Sequence, residues 1–387
     1  MFKVKLMNKI AKVGTDVLSA TNYEIGADLE NEDAIMVRSA ALHDMEFNPN
    51  LRAIARCGAG VNNIPVDRCT ESGIVVFNTP GANANAVKEL VIAALILASR
   101  DVVGGIKWAE TLAGESDVAK KVEAGKSAFV GHELAGKTLG VIGLGAIGGM
   151  VANTAISLGM NVMGYDPYIT AKAAWSLAPS VSQASDYTEI FKNCDYITLH
   201  VPATPQTKNM ICENSIEQMK DGVRILNMSR ADLVNADDVK AGLLKNKIAA
   251  YITDFPTEET VGVKGITCIP HLGASTIESE DHCAIMAAQQ LDEFMCCGNI
   301  KNSVNFPSVS LPRSEKPRIC VMHKNIPNML SQITSMFSMQ NINIENMASG
   351  SKGDVAYTIL ETNEHANPES IAKISKVNGI FGVRTYH

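Results

Sequence analysis

The sequence predicts an α/β protein with two doubly wound parallel sheets, followed by a small C-terminal module of strands and helices. Short apolar runs alternate with helical segments between Ala34 and Pro270, which is the pattern of parallel strands joined by crossover helices. Past Pro317 the order becomes strand, helix, strand, strand, helix, strand. This order is typical of a ferredoxin-like βαββαβ fold.

The composition is that of a globular protein with a sizeable core. Of the 387 residues, 46% are hydrophobic and 19% are charged, and this length suggests two or three domains. No apolar run reaches the ~18 residues that a membrane span needs. The N-terminal segment MFKVKLMNKIAKVG lacks the apolar core of a signal peptide, so we expect a cytoplasmic protein.

Charge and cysteine content narrow the class of ligand. The net charge of −7 argues against a surface for nucleic acid or anionic membranes, so local arginines must hold any anionic substrate. The nine cysteines are scattered, without CxxC or Cys/His ligand spacing, and we expect buried thiols and no metal site. For Cys57, which precedes a glycine-rich turn, an exposed thiol is the alternative.

The stretch from Leu139 to Asp166 predicts a dinucleotide site. A buried strand, three glycines, an apolar helix and a second strand follow one another, and the second strand ends at an acid. In such a Rossmann-like unit Gly143 permits the tight turn, Gly145 lets the backbone approach a pyrophosphate, and Gly148 lets the helix pack closely. A carboxylate at Asp166 accepts from a ribose 2′-hydroxyl but repels a 2′-phosphate. We therefore predict NAD rather than NADP, and a glycine turn that binds nothing is the alternative.

Polar side chains follow three later strands of the same sheet. Arg230, Asp254 and His271 come just past strand ends, and the carboxyl ends of parallel strands share one edge. Hydride transfer at an alcohol carbon needs a base for the hydroxyl proton, which His271 can supply. It also needs a cation, and Arg230 can bind a carboxylate through two hydrogen bonds. Glu258 or Glu259 is the candidate for orienting the histidine; a packing histidine and a surface arginine are the alternatives.

The chain resembles the D-2-hydroxyacid dehydrogenases over nearly its whole length. The matching segments are VRSA at Val37, RCGAGVNNI at Arg56, FNTPGANA at Phe77, ELAGKTLGVIGLGAIG at Glu133, GYDP at Gly164, ITLHVPATPQT at Ile197, NMSRADLV at Asn227 and PHLGAST at Pro270. The last segment is typical of members that oxidise 3-phosphoglycerate, so the resemblance implies that reaction with NAD. The alternatives are another member of the family, such as a hydroxypyruvate or glyoxylate reductase, and a non-catalytic NAD-binding sensor.

The resemblance also implies the residues of the active site. Arg230 would bind the substrate carboxylate, His271 would be the acid/base, and Glu259 would orient it, with Glu258 as the alternative. Asp254 would contact the nicotinamide, within the cofactor-binding set Gly143, Gly145, Ala146, Ile147, Gly148, Asp166, His200, Val201, Pro202, Thr207, Met228, Ser229, Asp254, His271 and Gly273. The backbone near Gly58 and Gly60 would also contact the substrate carboxylate. The predicted substrate-binding set is Arg38, Ser39, Arg56, Gly58, Ala59, Gly60 and Arg230.

Three positions depart from the family pattern. Ala231 stands where a glycine is usual, Asn235 stands where an acid is usual, and the segment DFPTEET lacks the proline that usually follows the glutamate at Glu259. No motif identifies the residues that hold a phosphate, for which Arg38 and Arg56 are the candidates.

The C-terminal module resembles an ACT domain, a small-molecule sensor that often binds serine in this family. The matching segments are HKNIPNML at His323 and INI at Ile342. The resemblance implies His323, Asn325 and Asn343 as effector residues, while Asn328 replaces the usual glycine. A dimerisation module without a ligand is the alternative.

Together these features predict a domain order and an oligomer. We expect a substrate-binding domain at 1–98, completed by about 282–305, an NAD-binding domain at 99–281, a linker at 306–316 and a regulatory domain at 317–387. The strongly apolar helix from Val87 to Ala98 predicts burial between domains or between subunits, and hence a homo-oligomer, either a dimer or a tetramer.

Overall fold

The computed structural model describes residues 1–386 and confirms an α/β fold with two parallel sheets and one antiparallel sheet. The chain forms two compact units, Met1–Asn83 together with the residues from Ile277 onward, and Ala84–Thr276. His387, which ends the last predicted strand and the predicted regulatory domain, lies outside the described residues.

The first unit begins with a parallel sheet of five strands, namely β1 Phe2–Met7, β2 Tyr23–Gly26, β3 Ala34–Val37, β4 Ala53–Arg56 and β5 Val75–Phe77. Their order across the sheet is β2-β1-β3-β4-β5. Two short helices, α1 Lys12–Thr15 and α2 Val66–Glu71, lie in the connections. β3 is buried along its whole length, and a strand covered on both faces reads as an uninterrupted apolar run.

The second unit contains a parallel sheet of seven strands, namely β6 Thr138–Ile142, β7 Asn161–Tyr165, β8 Ser182–Gln183, β9 Tyr196–Leu199, β10 Val223–Asn227, β11 Ile248–Thr253 and β12 Ile266–Cys268. Their order is β12-β11-β10-β9-β6-β7-β8. Because all the pairings are parallel, the carboxyl ends of the strands lie at one edge of the sheet.

The helices of the second unit are α3 Ala84–Ser99, α4 Val102–Glu110, α5 Val118–Gly125, α6 Ala146–Ser157, α7 Ala171–Trp175, α8 Tyr187–Asn193, α9 Glu213–Gln218 and α10 Ala236–Leu244. Short 3₁₀ segments lie at Lys126–Phe129 and Ala231–Leu233. Most apolar residues of α3 pack in one core with α6 and the sheet, whereas Ile96 is exposed.

The polar segment 113–127, AGESDVAKKVEAGKS, is partly helical. That segment contains α5, and neither α4 nor α5 has a buried side chain. The sequence obscured α5 because its charged residues alternate with alanine and valine without an apolar face large enough to predict a helix. The only ring contact of the region joins Trp108 to Phe129, with centroids 5.4 Å apart, among the residues that the structure describes.

The first unit continues with the long helix α11 Ile277–Cys297 and ends in the predicted βαββαβ module. The module contains β13 Arg318–Lys324, α12 Met329–Ser338, β14 Ile344–Lys352, β15 Val355–Thr362, α13 Pro368–Ser375 and β16 Ile380–Tyr386. Its antiparallel sheet has the order β14-β15-β13-β16, which confirms the ferredoxin-like prediction.

The two faces of the module's sheet are covered differently. Ile319 and Val321 pack against α12 and α13, whereas Cys320 and Met322 join a core shared with α11 and the five-stranded sheet. Successive strand residues point to opposite faces, so β13 contributes to both cores. Within residues 306–316, which were predicted as a linker, Phe306 is buried in the shared core.

None of the helices that the structure describes combines the length and apolarity that crossing a bilayer requires.

Candidate functional site

The glycine turn between β6 and α6 has the geometry of a phosphate-binding loop. Gly143 has φ +91°, and a Cβ there would lie 2.4 Å from the backbone oxygen of His200. A Cβ on Gly148 would lie 1.9 Å from the oxygen of Gly143, so neither position accepts a side chain. Around Gly145, by contrast, no described atom lies within 4 Å of where a Cβ would be. The turn is therefore tightly packed at Gly143 and Gly148. It is open at Gly145, at the N-terminus of α6, where backbone N–H groups attract an anion.

Asp166 follows β7 and faces the same turn. One carboxylate oxygen accepts from the backbone N–H of Leu144 at 2.9 Å, and the other accepts from the N–H of Tyr168 at 2.9 Å. The side chain is only half-buried, and an ionised carboxylate can accept about four hydrogen bonds. Asp166 thus braces the glycine turn and keeps acceptor capacity for the hydroxyls of a ribose.

His200 lies under the glycine turn at the end of β9. One ring nitrogen, Nε2, is 2.9 Å from the hydroxyl of Thr198, and the buried Nδ1 has no hydrogen-bond partner in the described chain. Burial lowers the pKa of His200 to about 4, so the ring is neutral near pH 7. In the loop that follows, the Thr207 hydroxyl donates to the backbone oxygen of Pro202 at 2.6 Å, which places both residues in one turn after Val201.

The loop that carries Arg230 is shaped by a buried amide. Asn227, the last residue of β10, accepts from the N–H groups of Ser229 and Arg230 at 3.1 and 3.3 Å. Its Nδ2 donates to the oxygen of Arg230 at 2.7 Å. The Ser229 hydroxyl donates to the Leu199 oxygen, and Met228 between them is buried. Asn227 therefore closes the loop on itself and leaves the Arg230 side chain exposed.

Asp254 fixes the loop that carries His271. The carboxylate is 1% exposed, and its two oxygens accept from the N–H groups of Leu272 and Gly273, each at 2.8 Å. His271 itself has φ +55°, a conformation that side chains other than glycine rarely adopt. The carboxylate thus holds a strained loop and presents the imidazole to solvent. A contact of Asp254 with the nicotinamide remains a prediction.

Phe255 brings the two predicted catalytic side chains together. Its ring centroid lies 4.6 Å from that of His271, with an angle of 47° between the planes. The guanidinium carbon of Arg230 lies 5.6 Å from the same ring centroid. Sequence reasoning missed Phe255 because an aromatic residue after a strand usually belongs to the core, and the only signal was its place directly after Asp254.

Neither candidate for the orienting acid forms a hydrogen bond or an ion pair with His271 in the described chain. Both Glu258 and Glu259 are exposed. Hydrogen bonds from the Thr257 hydroxyl and from its own backbone hold the pKa of Glu259 below its ordinary value. Glu259 belongs to a tight turn in which the Thr257 N–H donates to the Thr260 hydroxyl at 2.9 Å. The orienting role therefore stays a prediction.

The substrate residues predicted in the first unit gather at the carboxyl edge of its sheet. Arg38 follows β3 and forms an ion pair with Glu280 of α11 at 2.7 Å, and the Nε of Arg56 donates to the Arg38 oxygen at 3.1 Å. Gly58 has φ +146°, and a Cβ there would lie 1.5 Å from the Nη1 of Arg56. Only glycine therefore leaves room for this guanidinium.

The remaining members of the set lie beside these arginines in sequence and on exposed or half-buried turns. The N–H of Ser39 donates to the side-chain oxygen of Asn8 at 3.1 Å, and the Ala59 oxygen accepts from Asn78 at 2.7 Å. Gly60 is half-buried. Cys57, between Arg56 and the turn, is buried, and burial raises the pKa of its thiol to about 12. The alternative of an exposed, reactive Cys57 is therefore wrong.

The predicted effector residues fall into two places. His323 and Asn325 line a cleft of about 490 Å³. Both ring nitrogens of His323 are engaged, with the Lys324 oxygen at 2.8 Å and the Thr358 hydroxyl at 2.9 Å, and burial lowers its pKa. Asn343 lines a separate groove beside α12. The structure thus brings together two of the three residues within one copy of the chain.

Comparison with known proteins gives a consistent family. Residues 105–273 match the model for the NAD-binding domain of the D-isomer specific 2-hydroxyacid dehydrogenases. A D-3-phosphoglycerate dehydrogenase from Methanocaldococcus jannaschii is 34% identical over 315 residues, which cover 79% of this chain and 58% of that enzyme. D-3-phosphoglycerate dehydrogenase 1 from Saccharomyces cerevisiae is 33% identical over 370 residues, which cover 89% of this chain and 75% of that enzyme.

One solved structure connects this family with the cofactor. The crystal structure of NAD+-bound 3-phosphoglycerate dehydrogenase from Entamoeba histolytica is similar with a TM-score of 0.60 and 26% sequence identity. The similarity covers 79% of this chain and 98% of that one. NAD is therefore the cofactor of the domain that contains the glycine turn and Asp166.

Proposed function

Because the chain belongs to the D-isomer specific 2-hydroxyacid dehydrogenases, we propose that it oxidises D-3-phosphoglycerate to 3-phosphohydroxypyruvate with NAD, the first step of L-serine biosynthesis. The grouping of Arg230 and His271 on the ring of Phe255 carries this proposal. A cation and a base held on one support, at the strand edge that also bears the glycine turn, suit hydride removal from a 2-hydroxy acid.

In this mechanism each catalytic side chain of the second unit has a separate role. NAD supplies the acceptor for the hydride that leaves the substrate's C2. His271 takes the proton of the C2 hydroxyl, so that a carbonyl forms as the C–H bond breaks. Arg230 holds the carboxylate and stabilises negative charge on the developing carbonyl oxygen. Glu259, or Glu258 as the alternative, orients and stabilises the imidazolium after its side chain turns toward the ring.

The substrate's phosphate requires cations of its own. We assign this role to Arg38 and Arg56, because the net charge of −7 gives no long-range attraction for an anion. Both arginines lie at the carboxyl edge of the five-stranded sheet, and the Gly58 turn accommodates the guanidinium of Arg56. Exchange of Glu280 for a phosphate at Arg38 would conserve the ion pair.

The module with α12 and α13 supports a regulatory role, with serine as the proposed effector and the cleft at His323 and Asn325 as the proposed site. A homo-oligomer, dimer or tetramer, is also proposed. α3 buries most of its apolar residues within its own unit but exposes Ile96, and α4 and α5 expose Ile106 and Val118. These exposed apolar side chains support the proposed oligomer.

The substrate is tested by following NADH formation with 3-phosphoglycerate, and NADH consumption with hydroxypyruvate and glyoxylate. We expect the phosphorylated substrate to give the highest kcat/KM, and His271→Ala to lower kcat by ~10²- to 10⁴-fold. A preference for glyoxylate would favour the alternative reductase. Absence of turnover on every 2-hydroxy acid would favour the NAD-binding sensor, and turnover unaffected by His271→Ala would contradict the mechanism.

Serine regulation is tested with a pair of single variants in the full chain. Serine should inhibit the native enzyme, and Asn325→Ala should remove the inhibition without changing kcat. Asn343→Ala is the matched variant, because its side chain lies in the separate groove. Loss of inhibition in both would extend the site to a second copy of the chain, and no response of the native enzyme would favour a dimerisation module.

A further inference from the structure

We propose that Phe255 is a positioning residue that sets the catalytic histidine and the carboxylate-binding arginine on one aromatic support. This inference rests on the proposed use of Arg230 and His271 in 2-hydroxy acid oxidation. It goes beyond the family resemblance, which gives Phe255 no role. The observation behind it is the pair of ring contacts, 4.6 Å to His271 and 5.6 Å to Arg230.

The backbone around Phe255 is fixed. The residue directly follows Asp254, whose carboxylate is bound by the Leu272 and Gly273 N–H groups. Its own N–H donates to the Thr253 hydroxyl at 3.1 Å. The ring is therefore attached to the same strand end that anchors the histidine loop, and it has little freedom to move independently of that loop.

His271 depends on such a support because few other groups hold its side chain. In the described chain the imidazole makes no hydrogen bond and no ion pair, including with the two candidate glutamates, and the backbone φ of His271 is +55°. An aromatic pair with centroids at this distance is attractive, and the tilted ring leaves the ring nitrogens free to accept a proton. Phe255 thus limits the orientations of the imidazole without occupying its nitrogens.

Arg230 uses the same ring in another way. Its Nη1 donates to the Ser229 oxygen at 2.6 Å, and no carboxylate pairs with it in the part of the chain that the structure describes. A guanidinium within ~6 Å of a ring centroid gains a cation–π attraction. The ring therefore steadies the guanidinium while its remaining N–H groups stay available for a substrate carboxylate.

The test compares Phe255→Leu, which keeps apolar volume without a ring, with Phe255→Tyr, which keeps the ring. We expect Phe255→Leu to raise KM and to lower kcat, each by about 3- to 10-fold, and Phe255→Tyr to stay within about 2-fold of the native enzyme. The matched control is Phe47→Leu, because Phe47 also lies under an arginine, with 4.6 Å from Arg68 to the ring centroid. It lies outside the proposed site and should leave both constants unchanged.

Double variants separate positioning from a general loss of structure. If Phe255 acts through His271, adding Phe255→Leu to His271→Gln should not lower kcat further, because the groups act as one unit. Adding it to Arg230→Gln should not raise KM further. Additive losses in both backgrounds would overturn the proposal, as would native kinetics in Phe255→Leu or equal damage in Phe255→Tyr. If neither Phe255→Leu nor Phe255→Met folded, the ring would have a purely structural role, and this result would also overturn the proposal.

A binding measurement keeps this inference separate from the choice of substrate. Oxalate, a dianionic analogue of a 2-keto acid, is titrated into the complex with NADH and followed by NADH fluorescence. Weaker oxalate binding in Phe255→Leu but not in Phe255→Tyr would support the role of Phe255 even if 3-phosphoglycerate were not the substrate. Equal oxalate affinity in all variants would contradict it. A native protein that neither binds oxalate nor turns over any 2-hydroxy acid would remove both proposals.

Discussion

The carboxyl edges of the two parallel sheets hold their polar side chains in different ways. On the seven-stranded sheet, buried Asn227 and Asp254 bind the backbone of the loops that carry Arg230 and His271. On the five-stranded sheet, two arginines are held by an exchangeable ion pair with Glu280 and by a backbone carbonyl. The first edge is therefore organised before a ligand arrives, as catalysis requires. The second can exchange its contacts for those of an anion.

Removal of the Asp254 carboxylate should give the largest effect, because this buried group holds the backbone of the histidine loop. Asp254→Ala leaves two N–H groups of the histidine loop without their acceptor. We expect the free energy of unfolding to fall by about 3 kcal/mol and kcat/KM to fall by ~10²-fold. Asp254→Asn keeps one acceptor oxygen, so its stability and its kcat/KM should lie between those of the native protein and those of Asp254→Ala. Urea unfolding and steady-state kinetics measure both, and a native-like Asp254→Ala would show that the loop organises itself.

A side chain at Gly58 should give the second largest effect, at the carboxyl edge of the five-stranded sheet. The added Cβ of Gly58→Ala would lie 1.5 Å from Nη1 of Arg56 at φ +146°, so the guanidinium must leave its place. We expect KM for 3-phosphoglycerate to rise by about 10-fold while NAD affinity stays unchanged. The control is Gly114→Ala, which has a positive φ but open space around the new methyl group. An unchanged KM would remove Arg56 from the substrate site.

Lowering the pH should reduce the stability of the folded protein through His200, which lies at the carboxyl edge of the seven-stranded sheet. The folded-state pKa of His200 is lowered to about 4, below the ~6.5 of an unfolded histidine. The unfolded state therefore binds more protons, and stability falls as pH drops from about 6.5 toward about 4. In His200→Gln this part of the pH dependence should disappear. Urea unfolding at several pH values in this window measures the difference, and parallel curves for the two proteins would contradict the prediction.

Glu280 should give the smallest effect. Both side chains of its ion pair with Arg38 are substantially exposed, at 42% and 39%, and such pairs contribute about 0–1 kcal/mol. Glu280→Gln should change the thermal midpoint little and should leave KM for 3-phosphoglycerate equal or slightly lower, since the arginine is then freed. A large loss of stability or of substrate affinity would mean that this edge is organised after all.

The features that were predictable from the sequence are those set by neighbours in the chain. The glycine turn needs glycine at Gly143 and Gly148 because of contacts within a few residues or to the adjacent strand. The apolar runs of buried strands are likewise local. In contrast, β1 was not predicted, although FKVKLM alternates apolar residues with lysines as a half-buried strand does.

The features that were not predictable depend on distances between loops. Asn227 ends an apolar strand run, and nothing beside it in the sequence shows that its amide closes the Arg230 loop. Spacing along the chain favours Glu259 as the partner of His271, and this role stays a prediction because the carboxylate is hydrogen-bonded to Thr257 and to its own backbone. Phe255 becomes informative only when two loops are seen to meet on its ring.

The buried Arg318 at the start of β13 has a consequence for how this protein can change. Its guanidinium donates to the oxygens of Cys297, Leu311 and Pro312 and pairs with Glu361 at 2.7 Å, and its side chain is fully buried. The same junction continues into a core shared by β13, α11 and the five-stranded sheet. A truncated protein that ended before residue 317 would lack β13. It would therefore expose apolar residues of α11 and of the five-stranded sheet that share a core with β13. The proposed serine regulation would therefore be removed at a smaller cost in stability by a point substitution at Asn325 than by deletion of the module.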